Sequence, residues 1–276
     1  SIFAIKYNLS MKKIIIFLFV LINFTGFSQS FVDFAFKSKD VDGSILIYDE
    51  NKDTWLFNIE NDIKRNSPIG SLFNIPSALI ALDLGVITND PGEFMYWDGV
   101  KRYYFGTPKF TWSCNTNLDE ALFYKNDWYF QNVSDLVRHK NYEFFLKDLD
   151  VTNLKYDRKE KYYWHFGGLF SNPEQQINFF RKLQKQELGF KKINQKYLYD
   201  SLLTINNPNY TIHGYETFNV YKGERIDWWV GVLKTKDNTY FFSTRIFEDI
   251  NKTKKADFNN KKFEITIEIF RMLGYI

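Results

Sequence analysis

The chain has 276 residues, of which 45% are hydrophobic and 20% are aromatic. This composition can bury one large core, or two at most, and it excludes an intrinsically disordered or low-complexity protein. The 36 Lys and Arg residues exceed the 33 Asp and Glu residues by three, and Lys6, Lys12 and Lys13 account for that difference. Because the rest of the chain is neutral overall and its aromatic residues are not gathered beside basic clusters, the sequence argues against nucleic acid as a partner.

The start of the chain has the order of segments that directs export. From Met11, two lysines precede nine consecutive apolar residues, 14–22, and small polar residues follow up to Ser30. This order is typical of a secretory signal peptide, and the apolar run is shorter than the roughly 20 residues that span a bilayer. The pattern predicts a secreted or periplasmic protein that keeps no stable membrane anchor after cleavage. We divide the chain into an upstream extension that is not native (1–10), a signal peptide (11–29) and one domain (30–276).

Cysteine and histidine are too sparse for a disulfide or a metal site. Cys114 is the only cysteine, and His139, His165 and His213 occur singly, without the short spacings of metal ligands. We therefore predict no metal and no cofactor, and we expect a structural role for each of these four residues.

The first predicted elements after the signal are a hairpin and a helix. Two short apolar runs, 43–49 and 54–58, flank a polar turn and are typical of paired strands. Further along, Ser71 is a favourable helix N-cap, and the apolar stretch behind it closes on Gly85, a favourable C-terminal residue. The pattern predicts a helix over 72–84 that Ser71 caps.

The rest of the chain predicts a helical middle and a second hairpin. Apolar residues over 118–148 have helical spacing, and an Asn-Pro pair at 172–173 begins a further helix. The runs 226–235 and 239–247 flank a polar turn, and helical spacing returns over 263–273. Strands at both ends of the chain, with helices between them, predict an α+β fold with one antiparallel sheet and a helical insert.

Several short motifs occur in the order found in one family. The stretch 67–86 has a serine before an apolar helix and then Ile-Pro and Leu-Asp-Leu-Gly, which resembles the nucleophile region of class D β-lactamases and penicillin-binding transpeptidases. Six further pieces follow in the family's order: Trp97-Asp98-Gly99; a helix with Leu118, Ala121 and Gln131; Trp164 with Gly167; the helix after Asn172; His213-Gly214; and Trp228 to Gly231 followed by Tyr240 to Phe242. The resemblance covers residues from about 40 to 276, and it implies the family's α+β fold with a penicillin-recognising cleft.

The first of the family's three catalytic motifs is altered here. Ser-x-x-Lys is present as Ser71-Leu72-Phe73-Asn74, so the serine nucleophile remains and the lysine is replaced by an amide. In the family, that lysine takes the proton of the serine and later activates water. An amide has no titratable group near neutral pH and cannot act as a general base. Ser71 therefore stands at the nucleophile position without its usual base.

The second and third motifs carry residues of different charge. Alignment through the helix at 118 places Lys125 where the family has the serine of Ser-x-Val. Tyr215, Glu216 and Thr217 stand where the family has Lys-Thr-Gly, which holds the substrate carboxylate. A tyrosine for a cation and a glutamate for a hydroxyl make this corner less positive by about two charges, so a β-lactam or a peptide C-terminus is expected to bind poorly.

Lys125 has two interpretations. If it projects into the cleft near Ser71, desolvation would lower its pKa and make it a relocated base. Alternatively, it forms an ion pair with Glu216 or Asp127 that fills the altered site. In that pair Lys125 would keep its proton and could not act as a base.

Three further positions belong to the cleft that the resemblance implies. Trp164 packs on the modified lysine in the family, and here it has lost that partner. Tyr215 is interpreted as a packing residue that fills the groove. Lys262 lies close to the family's carboxylate-binding arginine, and we interpret it as a solvated surface residue.

These departures leave three functions open. The first is a non-hydrolysing pseudoenzyme that binds a cell-wall or periplasmic partner, such as a peptidoglycan-derived ligand or a β-lactam, through the old cleft. The second is a serine acyl-transfer enzyme with Ser71 as nucleophile, Lys125 as relocated base and an oxyanion hole formed by the backbone N–H groups of Ser71 and of Thr217 or Phe218. The third is a β-lactam acceptor that is acylated once without turnover.

Overall fold

The computed structural model describes residues 30–104, 106–149, 151, 161–251 and 258–276. The upstream extension and the signal peptide expected over 1–29 lie outside the described residues. The helices are α1 (30–38), α2 (Glu60–Ile63), α3 (Asn74–Leu84), α4 (Leu118–Phe123), α5 (Asp127–Val137), α6 (His139–Phe145), α7 (Pro173–Lys185), α8 (Lys192–Ser201) and α9 (Phe258–Met272). The strands are β1 (Asp42–Asp49), β2 (Thr54–Phe57), β3 (Ser67–Pro68), β4 (Tyr103–Tyr104), β5 (Thr107–Pro108), β6 (Phe170–Ser171), β7 (Leu203–Asn207), β8 (Tyr210–Tyr221), β9 (Glu224–Thr235) and β10 (Thr239–Asp249). Short 3-10 turns cover Gly70–Phe73, Phe110–Trp112 and Leu146–Asp148.

An antiparallel sheet of six strands organises the fold. Its strand order is β2-β1-β10-β9-β8-β7, so strands from the two ends of the chain pair in its centre. The pairing of β1 with β10 runs from Asp42 opposite Phe247 to Asp49 opposite Tyr240. The predicted α+β fold with a helical insert is confirmed, and so are both predicted hairpins.

Both faces of the sheet are buried, which gives the fold three layers. Successive residues of a strand point to opposite faces. In β1, Leu46 and Tyr48 join an apolar cluster with α3, α5 and α7, whereas Ile45 and Ile47 join a second cluster with α1 and α9. This burial on both sides explains why the strands appear in the sequence as continuous apolar runs.

Two helix ends follow the signals that the sequence predicts. The side chain of Asn172 caps α7 by accepting a hydrogen bond from the Gln175 N–H at 3.0 Å. Gly85 ends α3 with a φ of 66°, and the next N–H, of Val86, donates back to the Ala81 carbonyl at 3.0 Å.

Ser71 does not cap a helix, so that prediction is wrong. It lies inside the 3-10 turn Gly70–Phe73, and α3 begins only at Asn74, without a side-chain cap. The chain enters the turn through Gly70, whose φ of 57° is a conformation that glycine adopts readily. The turn and the helix share one apolar stretch, so the sequence pattern does not reveal the boundary between them.

Sequence reasoning missed several short strands that lie between the two predicted hairpins. β3 pairs with β6, and β4 pairs with β5, each over two residues, which is too short to leave an alternating pattern. At the edge of the sheet, β7 and β8 form a further hairpin. Helix α9 begins at Phe258, before the predicted start at 263.

A buried ion pair joins the sheet to the segment that leads to Ser71. Arg245 on β10 is fully buried, and its guanidinium contacts both carboxylate oxygens of Asp62 on α2. The same guanidinium donates to the Arg65 carbonyl at 3.2 Å and to the Ser67 hydroxyl at 3.0 Å. These contacts hold the segment against β10 just before the 3-10 turn.

Replacing Asp62 with Ala would leave Arg245 buried without its counter-charge. Breaking one side of a buried ion pair costs about 3–5 kcal/mol, so we expect Asp62→Ala to lower the free energy of unfolding by that amount. Urea unfolding followed by tryptophan fluorescence measures the change. Glu60→Ala, an exposed position on the same helix, is the matched control. A loss below about 1 kcal/mol, which is typical of surface pairs, would contradict the structural role of this pair.

Candidate active-site cleft

A cavity of about 360 Å³ opens along one edge of β8. Its walls also come from Tyr104, the segment 109–112, the junction of α4 and α5, and the start of α9. The lining residues are Ser71, Tyr104, Lys109, Thr111, Trp112, Phe123, Tyr124, Lys125, Glu216, Thr217, Phe218, Asp227, Asn259, Asn260, Lys262 and Phe263. Four of the seven predicted site residues are therefore brought together here. The other three, Asn74, Trp164 and Tyr215, are buried in the protein and do not line the cavity.

Ser71 reaches the cavity from the 3-10 turn, although only 2% of its surface is exposed. Its backbone N–H donates to Thr217 Oγ1 on β8 at 2.8 Å. In serine acyl-transfer enzymes, the N–H of the nucleophile is one donor of the oxyanion hole. Here a side chain of the protein already accepts from this donor.

Tyr104 covers the adjoining part of the β8 edge. Sequence reasoning missed this role because no feature of the sequence distinguishes Tyr104 from the aromatic residues next to it. Its hydroxyl donates to the Phe218 carbonyl at 3.2 Å. Burial raises the pKa of the Tyr104 phenol well above its usual value of about 10; the charge of Asp127 raises it further, and a hydrogen bond with the Ser71 hydroxyl opposes the shift. A phenol that keeps its proton cannot take one from Ser71, so Tyr104 does not replace the absent lysine.

Asn74 is fully buried and bonded to the residue that replaces the third motif's lysine. Its Nδ2 donates to the Tyr215 hydroxyl at 3.2 Å, and that hydroxyl donates to the Leu122 carbonyl at 2.8 Å. Asn74 Oδ1 and Trp164 Nε1 have no hydrogen-bond partner among the described residues. Trp164 therefore stands without the partner that the resemblance implies for it.

Lys125 lies at the junction of α4 and α5, with a positive φ of 50°. Its Nζ is 3.2 Å from Glu216 Oε1 and 5.4 Å from the centre of the Tyr215 ring. One of the two expected ion-pair partners is thus in contact with Lys125, and the other, Asp127, contacts His165 instead. An ammonium in such an ion pair donates hydrogen bonds and cannot accept a proton.

Lys262 is not a solvated surface residue, so that expectation is wrong. Only 2% of it is exposed, and its Nζ lies 2.7 Å from Glu216 Oε2 and 3.7 Å from Asp227 Oδ2. It also donates to the Asn259 carbonyl at 2.6 Å. Because α9 starts earlier than predicted, its first turns form part of the cavity wall. Glu216 therefore lies between Lys125 and Lys262, and a buried cation occupies the corner that the sequence predicts to be less positive.

Five charged groups form a continuous network along the cavity. Lys125, Glu216, Lys262 and Asp227 are followed by Arg225, whose Nε is 2.7 Å from Asp227 Oδ1, so three cations face two anions. Burial alone would raise the pKa of Glu216, but Lys262 and Lys125 outweigh burial and hold that pKa below its usual value. Burial raises the pKa of Asp227, and its cationic neighbours only partly oppose that shift.

His165 and Asp127 form a buried pair beside this network, which sequence reasoning did not identify. His165 Nε2 is 3.0 Å from both carboxylate oxygens of Asp127, and Nδ1 is 3.4 Å from Asn219 Oδ1 on β8. Asn219 Nδ2 donates to the Pro68 carbonyl at 2.8 Å. The pair therefore connects α5, β8 and the segment that precedes the 3-10 turn, in keeping with the structural role expected for His165.

The other residues considered for metal binding are dispersed. Cys114 is exposed, His139 Nδ1 lies 3.1 Å from Glu143 Oε1, and the His213 ring stacks on Tyr199 with 4.2 Å between centroids. Among the described residues, no three His, Cys, Asp or Glu side chains form a group that could hold a metal ion. Within the same ranges, no helix has both the length and the apolarity required to cross a membrane.

Comparison with known proteins gives consistent matches. The family model described as the penicillin binding protein transpeptidase domain matches residues 40–264. The probable β-lactamase YbxI of Bacillus subtilis is 28% identical over 239 residues, covering 86% of this chain and 83% of YbxI. The regulatory protein BlaR1 of Bacillus licheniformis is 26% identical over 225 residues, which is 80% of this chain and 36% of BlaR1. The crystal structure of a class D β-lactamase from Sebaldella termitidis superposes with a TM-score of 0.81 at 29% identity, covering 89% of this chain and 96% of that structure.

The chain therefore belongs to the penicillin-binding protein transpeptidase domain family. Within that family, its fold matches the class D β-lactamases, as the sequence motifs predict. The chain spans only about a third of the length of BlaR1.

The Glu216 network predicts a pH-dependent contribution to stability. The pKa of Glu216 is lowered in the folded protein, so its contribution is present above the unfolded value of about 4.3 and is lost as the pH falls through the folded-state pKa. The Glu216 side chain is 32% exposed, so solvent screens the pair in part. We expect Glu216→Gln to lower the free energy of unfolding by about 1–2 kcal/mol at pH 7.

Urea unfolding of both proteins between pH 7 and pH 3.5 tests this expectation. The difference between wild type and Glu216→Gln should shrink as the pH falls below about 4. Glu187→Gln, at an exposed position on another part of the surface, should have no measurable effect at either end of the range. A Glu216→Gln difference that is independent of pH would contradict a charge-based role.

Proposed function

We propose that this protein is a secreted or periplasmic member of the family that binds a cell-wall-derived ligand in its cleft and does not hydrolyse β-lactams. The proposal rests mainly on Asn74, which replaces the lysine of the first motif. Asn74 is fully buried, and its amide is committed to the Tyr215 hydroxyl. Ser71 therefore has no base from this position, and general-base catalysis is typically worth about 10²–10⁴-fold in rate.

The cavity keeps features that suit a small anionic ligand with apolar parts. Its volume of about 360 Å³ lies within the range of roughly 300–1,000 Å³ that is usual for ligand pockets. Trp112, Phe123 and Phe218 supply aromatic walls, and Lys109 and Lys125 are the lining lysines that are not fully buried. A peptide carboxylate, as in a peptidoglycan stem peptide, is the group that these two cations would meet.

Serine acyl transfer with Lys125 as a relocated base is the second candidate. One observation favours it, because Ser71 and Lys125 line the same cavity. It requires Lys125 to give up its ion pair with Glu216, whose carboxylate lies 3.2 Å away. The ion pair therefore weighs against Lys125 as a base.

Incubation with benzylpenicillin distinguishes the two functions. A ring-opened adduct on Ser71 would raise the intact mass of the 30–276 protein by the mass of the drug. We expect no adduct at millimolar drug and no hydrolysis of nitrocefin, because among the described residues of the cleft none is poised to take the Ser71 proton. Intact-mass spectrometry and absorbance at the nitrocefin product band measure these outcomes, with Ser71→Ala as the matched control.

A mass increase that Ser71→Ala abolishes would contradict the proposal. If turnover followed, Lys125 would become the leading base, and Lys125→Met should then abolish the adduct. An adduct that persists without turnover would instead identify a protein that is acylated once.

Binding to the cell wall is tested directly by co-sedimentation with purified insoluble peptidoglycan. We expect the wild-type protein to sediment and Lys125→Ala to bind about tenfold more weakly, the loss expected for one charge-assisted hydrogen bond. Lys196→Ala, on the exposed part of α8 away from the cavity lining, is the matched control. Wild-type protein that stays in the supernatant would contradict the cell wall as the ligand source.

A further inference from the structure

The backbone N–H of Ser71 has an acceptor that the family pattern does not supply. Thr217 stands where the resemblance implies a glycine, and its Oγ1 accepts from the Ser71 N–H at 2.8 Å. Both residues are almost completely buried, at 2% and 4% exposure. The contact is therefore a full hydrogen bond in a site shielded from water, where it is worth most.

The space between this hydroxyl oxygen and Gly70 is closed. A Cβ placed on Gly70 would lie 2.2 Å from Thr217 Oγ1 and 2.7 Å from the side-chain amide of Asn219. The Thr217 oxygen is thus wedged between the 3-10 turn and the β8 edge. Because the Thr217 hydroxyl already accepts from the Ser71 N–H, an oxyanion would have to displace it to reach that donor.

The neighbouring residue supplies a second donor at the same edge. Phe218 stands opposite Asp227 on β9, but its carbonyl accepts from the Tyr104 hydroxyl on the other side of β8. In a strand, the N–H and C=O of one residue point in the same direction. The Phe218 N–H therefore also faces away from β9, toward the edge that lines the cavity.

We propose that Thr217 closes the oxyanion site: its hydroxyl oxygen occupies the position beside the Ser71 N–H that the oxyanion of a tetrahedral adduct would take. The inference rests on the proposed function, and it adds a barrier that is independent of the missing base. Replacing Thr217 with alanine removes both this oxygen and its volume, which opens a site for a tetrahedral anion bonded to Ser71, with the N–H groups of Ser71 and Phe218 as its donors.

Phenylboronic acid probes this site without requiring a base in the protein. Its trigonal boron accepts an electron pair from Ser71 Oγ, so a B–O bond forms, the hydroxyl proton passes to the buffer and both boron hydroxyls are retained. The product is a tetrahedral boronate anion on Ser71. Because this is a binding equilibrium, it reports the oxyanion site separately from the acylation rate. Boron-11 NMR distinguishes tetrahedral from trigonal boron and gives the dissociation constant.

Three substitutions of Thr217 distinguish the acceptor oxygen of its side chain from the space that the side chain fills. Thr217→Ala removes both, and we expect it to bind phenylboronic acid at least about tenfold more tightly than wild type, an effect that Ser71→Ala in the same chain abolishes. Thr217→Ser keeps the acceptor, and Thr217→Val keeps the volume, so both should behave like wild type. Tyr104→Phe should also behave like wild type, because Thr217 still occupies the Ser71 N–H.

Two results would overturn the proposal. One is a Ser71-dependent boronate in the wild-type protein with the same dissociation constant as in Thr217→Ala. The other is a folded Thr217→Ala protein, verified by circular dichroism, that binds no more tightly than wild type. In either case the Thr217 hydroxyl would not be what closes the site.

Amide hydrogen exchange at Ser71 keeps the proposal testable even if Thr217→Ala does not fold. Thr217→Val retains the shape and removes the acceptor, so protection of the Ser71 N–H should fall at least about tenfold relative to wild type and Thr217→Ser. Unchanged protection would overturn the proposal.

A penicillin adduct on wild-type protein would contradict the proposed function, whereas wild-type boronate binding without any penicillin adduct would contradict only the role of Thr217.

Discussion

The contact between the 3-10 turn Gly70–Phe73 and the edge of β8 is the constraint on which the cleft depends. The turn approaches the strand closely because Gly70 has no Cβ and adopts a positive φ, which leaves room for Thr217 and Asn219 on the facing edge. Two side-chain hydrogen bonds fasten this contact, one from the Ser71 N–H to Thr217 and one from Asn219 to the Pro68 carbonyl. From behind, the buried Arg245 guanidinium anchors the preceding segment to β10. The nucleophile position is therefore held rigidly by the sheet, whether or not it is used for chemistry.

The charged residues of the cleft depend on one another. Glu216 introduces an anion where the family has a hydroxyl, and a lone carboxylate at this depth would be costly to ionise. Lys125 and Lys262 approach it from two different elements, at 3.2 Å and 2.7 Å, and offset that cost. Lys262 in turn needs Glu216, because a nearly fully buried ammonium also requires counter-charges. The substitutions at 125 and 216 are thus energetically coupled, because Lys125 without Glu216 would lose the carboxylate that it contacts, and Glu216 without Lys125 would keep only Lys262.

The sequence predicts the parts of this protein whose signals are local and fails where geometry is set by tertiary contact. The hairpins, the Asn172 cap and the Gly85 end of α3 follow from turn and capping chemistry within a few residues, and the collinear motifs predict the family. The N-cap role of Ser71 fails because Ser71 lies inside the 3-10 turn that precedes α3, and this turn is held against β8 by contacts with residues distant in the chain, Thr217 among them. The surface assignment of Lys262 fails because the start of α9 lies outside the apolar pattern that predicts the helix. Tyr104 carries no distinguishing signal at all, since its importance comes from its position over β8.

Most residues that replace the family's catalytic motifs form specific hydrogen bonds or ion pairs in this structure. Asn74 bonds to Tyr215, Tyr215 bonds to the Leu122 carbonyl, Glu216 is shared by two lysines, and Thr217 satisfies the Ser71 N–H. Each replaced residue has thus gained a partner that the family residue would not have used in the same way. By contrast, the buried atoms Asn74 Oδ1 and Trp164 Nε1, an acceptor and a donor, have no hydrogen-bond partner among the described residues. Both positions belong to the part of the family pattern in which the modified lysine acts, so the polar groups left unpaired lie where the base would be, whereas Glu216 and Thr217 on the cavity wall are paired.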